Sequence, residues 1–165
     1  MSEGRMPRDG NERHMPAVGT PADRQRLMRI CSQASVAELA AALARLAPLP
    51  PIEIVRQPEV GLIMLRGRIG GDGAPFNVGE ATMTRAVVCL ATGELGFSYL
   101  LGRSLERARL AAIVDALGQS SRFRDRLEIV LLAPVMRRVH AQRSVHRAET
   151  AATRVQFFTL VRGED

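Results

Sequence analysis

The apolar residues of this chain change their spacing twice, and that pattern limits what the chain can fold into. Thr20-Pro21-Ala22-Asp23 combines an N-cap, a proline suited to the first helical position and an acid in the first turn. Leu27 and Ile30 follow three apart, with Cys31 beside Ile30, on one helical face. Ser35-Val36-Ala37-Glu38 has the form of a capping box, and Leu39, Leu43 and Leu46 continue an apolar stripe until Pro48, Pro50 and Pro51 stop it. A helical hairpin is predicted across residues 21–47.

At Ile52 the period falls to two. Ile52, Ile54 and Val55 predict a short strand, and residues 60–69 a longer one. In the longer strand Ile63, Leu65 and Ile69 share one face, taken as the core face, and Met64, Arg66 and Arg68 the other. Gly70-Gly71-Asp72-Gly73-Ala74-Pro75 reads as a turn, residues 76–91 as a long strand bent near Gly79, Thr92-Gly93-Glu94 as a tight turn and residues 95–101 as a returning strand. Short turns between successive strands imply an antiparallel meander. The helical period returns after Ser104, a candidate cap, with Leu110, Ile113, Val114 and Leu117 on one face and Gly118 as the expected stop. Residues 123–132 fit helix or strand, Pro134 is expected to break that segment, and residues 135–154 form a charged helix. The predicted class is α+β: an N-terminal helical hairpin, a central antiparallel β-meander and C-terminal helices. Residues 1–19, rich in Gly, Pro, Arg and Met, read as a disordered leader to a single domain over residues 20–165.

Composition narrows the function. The chain has 165 residues, 46% of them hydrophobic but only 4% aromatic, so the core must be mainly Leu, Val, Ile and Ala. Its 23 basic residues are all Arg and its formal charge is +6, which suits acidic partners such as phosphorylated ligands, nucleic acid or an acidic subunit. Cys31 and Cys89 are too few for a disulfide framework and read as buried free thiols. No run reaches the roughly 18 apolar residues of a membrane span. The polar start lacks a signal-peptide core, and Glu3, Asp9 and Glu12 oppose a presequence, so a cytoplasmic location without membrane contact is expected.

No catalytic constellation is legible. The Gly70–Gly73 loop is followed by a strand, whereas a phosphate-cradling loop opens a helix. His140 and His146 are six apart, which separates them around a helix, and His14 lies in the leader. Cys31 and Cys89 have no local nucleophile signature, and Glu80, Glu94, Asp115 and Glu128 are scattered. Arg122, Arg124 and Arg126 alternate, and Arg137, Arg138, Arg143 and Arg147 line a helix without aromatics, which favours a solvated or subunit-facing surface over nucleic acid. Met64 on the non-core face, and Phe157, Phe158 and Leu160 near the end, suggest docking on a partner. Packing of the terminal run on the chain's own sheet is the competing reading.

Several strings occur together in order. They are Gly70-Gly71-Asp72-Gly73, Phe76, and Gly79-Glu80-Ala81-Thr82-Met83-Thr84-Arg85-Ala86. Then come Gly93-Glu94-Leu95-Gly96-Phe97-Ser98-Tyr99 with Gly102-Arg103, the triplet Asp115-Ala116-Leu117, and the run from Ala151 to Gly163. From about residue 22 onward this set resembles the PhnG family. It departs where Ser104 and Arg109 stand at positions that are acidic in the family. The resemblance implies a non-catalytic core subunit of the carbon–phosphorus lyase complex, assembled with the H, I and J subunits. With the H, I and L subunits it implies a part in exchanging the adenine of ATP for a phosphonate, which gives a ribose 1-methylphosphonate 5-triphosphate. It implies no cofactor in this subunit, with ATP, Mg²⁺ and an iron–sulfur cluster belonging to the wider system. Arg85, Arg103, Arg154 and Arg162, with Phe157 and Phe158, are the expected interface residues. A small stand-alone enzyme and a nucleic-acid-binding domain are the alternative readings.

Overall fold

A computed structural model describes residues 20–153. In chain order it contains α1 (Pro21–Cys31), α2 (Val36–Leu46), β1 (Ile52–Arg68), β2 (Pro75–Leu90), β3 (Leu95–Leu101), α3 (Leu105–Gln119) and α4 (Ser121–Leu127). A π-helical turn (Glu128–Leu132) then leads into α5 (Ala133–Ala152). The architecture is the expected α+β arrangement, with a helical hairpin, a three-stranded antiparallel meander and C-terminal helices. The leader and the terminal run from Arg154 lie outside the described residues.

Side-chain caps start α1, α2 and α3. The Thr20 hydroxyl accepts the Asp23 amide and the Asp23 carboxylate accepts the Thr20 amide, a complete capping box. Ser35 and Glu38 repeat the motif on α2, and the Ser104 hydroxyl accepts the Arg107 amide on α3. α3 is the centre of the molecule. Ala108 and every residue from Leu110 to Leu117 are buried, because one side of the helix lies on β2 and β3 while α1, α2 and α4 cover the other. A helix covered on both sides needs apolar residues all round rather than on one stripe. The approach to the sheet is close: a Cβ on Gly96 would lie 2.0 Å from the Ala112 carbonyl oxygen.

Several sequence expectations are corrected. The two strands expected over residues 52–69 are one, β1, which runs through Pro58 with irregular register between Ile54 and Glu59. β1 is an edge strand, where a missing amide hydrogen can face solvent. The two faces of this strand are the reverse of those expected: Leu65, assigned to the core face, is exposed on the side away from α3, Met64 continues the row that faces the helices at the base of the sheet yet is also exposed, and Ile69 is exposed at the far end. The bend expected near Gly79 appears as an irregularity where Leu65 and Arg66 of β1 face Gly79 and Asn77. Gly118 does not end α3; it sits inside the last turn, where a Cβ would meet Leu27 at 2.5 Å, so it serves close packing on α1. Cys89 is half-buried rather than buried. Residues 123–132 are helical, and Pro134 does not break them. The wide turn, closed by Ala133 N–H donating to Glu128 O, passes the chain into α5 with Pro134 in its first turn, where no amide hydrogen is needed.

Candidate subunit interface

Alternation along β3 sends its side chains to two different environments. Gly96, Ser98 and Leu100 face α3 and are buried, and the Ser98 hydroxyl donates to Ala108 O at 2.7 Å. Leu95, Phe97, Tyr99 and Leu101 face the other way and are exposed, Leu101 to 63%. Their partners across the ladder on β2 are Cys89, Val87, Arg85 and Met83, so these eight residues share one face. The result is a sheet with one side closed by α3 and the other lined with apolar and aromatic groups.

Arg85 lies in the middle of that open face. Its Nε donates to Glu59 Oε1 on β1 at 2.6 Å, and Arg56 Nε approaches the same oxygen at 3.2 Å. Two guanidinium groups therefore share one carboxylate within an apolar surround. Arg103 is exposed in the turn after β3, beside Gly102, whose backbone has positive φ. Arg85 thus lies within the sheet face and Arg103 in the turn that follows it. Arg154, Phe157, Phe158 and Arg162 lie outside the described residues.

The outer edge of β3 is occupied by the chain's own side chains. Asp115 Oδ2 accepts the Phe97 amide at 2.8 Å, the Leu95 carbonyl accepts from Gln119 Nε2 at 2.7 Å, and the Leu101 carbonyl accepts from Arg107 Nη2 at 3.0 Å. Asp115 is fully buried and also holds Arg24 in a fork, Nε to Oδ1 at 2.9 Å and Nη2 to Oδ2 at 2.5 Å. Arg24 in turn stands 5.6 Å over the Phe97 ring. A blocked edge discourages the addition of another strand there, so this side of the sheet is offered by its face. The sequence placed Asp115 among scattered carboxylates. The signal for its role was its position between the apolar residues Val114 and Leu117.

Other clusters are engaged in holding helices together. A cavity of about 240 Å³ between α1, α3 and α4 is lined in part by Arg24, Arg26, Asp115, Arg124 and Glu128. Arg26 forks onto Glu128 at 2.7 and 2.8 Å, and Arg124 donates to the Gly118 carbonyl at 3.3 Å. The Arg26 hydrogen bonds hold the Glu128 carboxyl below the usual carboxylate range. Arg138 on α5 forks onto Glu38 at 2.7 and 3.0 Å and donates to Gln33 O at 2.7 Å, which likewise lowers the Glu38 carboxyl. Burial pushes the Cys31 thiol up to about 12, so it stays protonated and is a poor nucleophile at neutral pH. Among the described residues no group of three or more His, Cys, Asp or Glu side chains is placed to hold a metal. Also among them, no helix is long and apolar enough to cross a membrane.

Comparison with known proteins gives this surface a context. Residues 22–163 match the family described as phosphonate metabolism protein PhnG. The chain belongs to the PhnG family. It is also similar to the alpha-D-ribose 1-methylphosphonate 5-triphosphate synthase subunit PhnG of Rhizobium meliloti (strain 1021). The two are 51% identical over 144 residues, 87% of this chain and 92% of the relative. The family match includes the strings from Gly70 to Ala86 and from Gly93 to Tyr99, which form the β1–β2 turn, β2 and β3. These PhnG segments therefore carry both the buried row against α3 and the exposed row facing away from it.

Proposed function

We propose that this chain is a non-catalytic core subunit of the carbon–phosphorus lyase machinery, acting in the cytoplasm. In this reading it assembles with the H, I and J subunits. It serves, with L, the step that transfers the ribose triphosphate portion of ATP to a phosphonate. The observation that carries the reading is the open sheet face: Phe97, Tyr99, Leu101 and Leu95 are exposed side by side on a folded sheet. Aromatic and Arg side chains are enriched in protein interfaces, and Arg85 stands in the middle of this apolar row. Family membership and the relative's name as a synthase subunit point the same way.

Arg85 orients partner contacts at the centre of the face, and Arg103 does so at its rim. Arg154, Phe157, Phe158 and Arg162 extend the interface. Catalytic groups, Mg²⁺ and the iron–sulfur cluster are supplied by other subunits. The chain has only two cysteines, and a cluster held by protein thiolates takes four. ATP is bound where those other subunits act.

The test is co-expression with the H, I and J subunits followed by size-exclusion chromatography. Co-elution in one complex that survives moderate salt supports the reading. A chain that elutes apart from all three contradicts it. Replacing Arg85 and Arg103 together with Ala should weaken assembly; unchanged assembly would remove them from the interface.

A further inference from the structure

β3 pairs with β2 only from Met83 to Cys89, whereas β1 pairs with β2 from Ile52 opposite Leu90 to Arg68 opposite Pro75. From Thr82, opposite Leu62, the sheet therefore narrows to a two-stranded arm, residues 62–82, which projects roughly 30 Å at ordinary strand rise. Its side chains do not follow the rule of one apolar and one polar face. Val60 just below the arm, and Leu62 and Met64 within it, continue the row that faces the helices at the base of the sheet, yet they are exposed, Leu62 to 63%. Leu65 on the opposite face is exposed too, as are Phe76 and Val78 on β2, and Ile69 at the tip reaches 76%. Gly67 leaves room for Val78 and Phe76: a Cβ there would lie 2.7 Å from Val78 Cγ2. An isolated two-stranded ribbon is marginal in water, and apolar groups on both of its faces call for covering from both sides.

We infer that this arm inserts into an apolar cleft of a different, less basic subunit, and that it does not pair with a second copy of this chain. The inference rests on the subunit reading above and names the element that docks. Charge separates the two occupants. The arm itself is balanced, with Arg66 and Arg68 against Asp72 and Glu80, while the whole chain carries +6. A second copy would bring another +6 body against the first, whereas a neutral or acidic subunit would not. Strand addition along β1 is also impeded at the arm's base, where Pro58 lacks an amide hydrogen and the register is broken between Arg56 and Glu59. Burial of both arm faces in a cleft remains. The arm supplies about the 20–30 residues that one side of a standard interface uses.

The experiment uses the full chain co-expressed with the H, I and J subunits and captured through a tag on one of them. Three variants are compared: Leu62→Ser with Met64→Ser, Phe76→Ser with Val78→Ser, and Val145→Ser on exposed α5 as a control. Circular dichroism and thermal unfolding of each isolated chain establish that it folds like the wild type. Both arm variants should lose apparent affinity for the partners by at least about tenfold, while the control assembles normally. Folded arm variants that assemble like the wild type would overturn the inference. So would a wild-type dimer in light scattering that the arm substitutions turn into monomer, since the occupant would then be a second copy. A wild-type chain that fails to join the complex overturns the subunit reading itself, a result visible before any variant is compared.

Discussion

The helical body and the β1–β2 arm draw on similarly apolar sequence, but their side chains have different fates. In the body, Leu39, Leu46 and Leu117 are fully removed from water, Asp115 is buried with two partners, and Gly96 lets α3 rest on the sheet. In the arm, Leu62, Met64, Phe76 and Val78 remain exposed on an ordered ribbon. The difference shows where the chain completes its own core and where it leaves apolar surface for something else to cover. Body substitutions should change stability, and arm substitutions should change assembly.

The largest expected loss is at Asp115. Asp115→Ala removes both the Arg24 fork and the acceptor for the Phe97 amide. It should lower the unfolding free energy by about 3 kcal/mol in urea titration, the low end for a broken buried pair because Arg24 can return to solvent. Gly96→Ala comes next, at about 2 kcal/mol, because the added methyl must push α3 away from the sheet. Ser35→Ala removes one half of the α2 capping box and should cost about 1 kcal/mol by the same method.

Acid should act on the body more gently. Glu38 and Glu128 are both held below the ordinary carboxylate range, chiefly by hydrogen bonds from Arg138 and Arg26. Their contribution is therefore full above the unfolded value of about 4.3 and is lost as pH falls through the lower folded values. A pH series of thermal melts should show stability falling on that acid limb, with a shallower fall in Glu38→Gln. The smallest effect belongs to the arm. Leu62→Ser in the isolated chain should stay within about 0.5 kcal/mol of wild type. An arm substitution as costly as the Asp115 change would erase the distinction between the two regions.

The parts that the sequence disclosed are those decided within a few residues. The caps at Thr20, Ser35 and Ser104 each depend on a residue three positions on, and the turns after Ile69 and Leu90 depend on local glycines. Tertiary context decided the others. The gap between the two strands expected at residues 52–55 and 60–69 closes because β1 is an edge strand, where Pro58 and an irregular register are accommodated. Gly118 reads as a helix stop until Leu27 is seen packed over it. Pro134 reads as a breaker until the preceding π-helical turn supplies a register that needs no amide at that position. At the candidate interface, alternation assigned residues 60–69 to two faces but could not reveal that both are uncovered. Arg85 was named, but Glu59, its partner 26 positions earlier, was not. Asp115 was named as a scattered carboxylate and within the triplet Asp115-Ala116-Leu117, but its contacts, which join α1, α3 and β3, were not legible.

Hydrogen–deuterium exchange of the isolated chain, compared with the chain in the co-expressed complex, tests the central claim most directly. Amides of residues 62–82 should exchange quickly alone and become protected in the complex, while the already slow amides of α3 change little. Protection confined to the helical body, with the arm exchanging as fast in the complex as alone, would contradict the account.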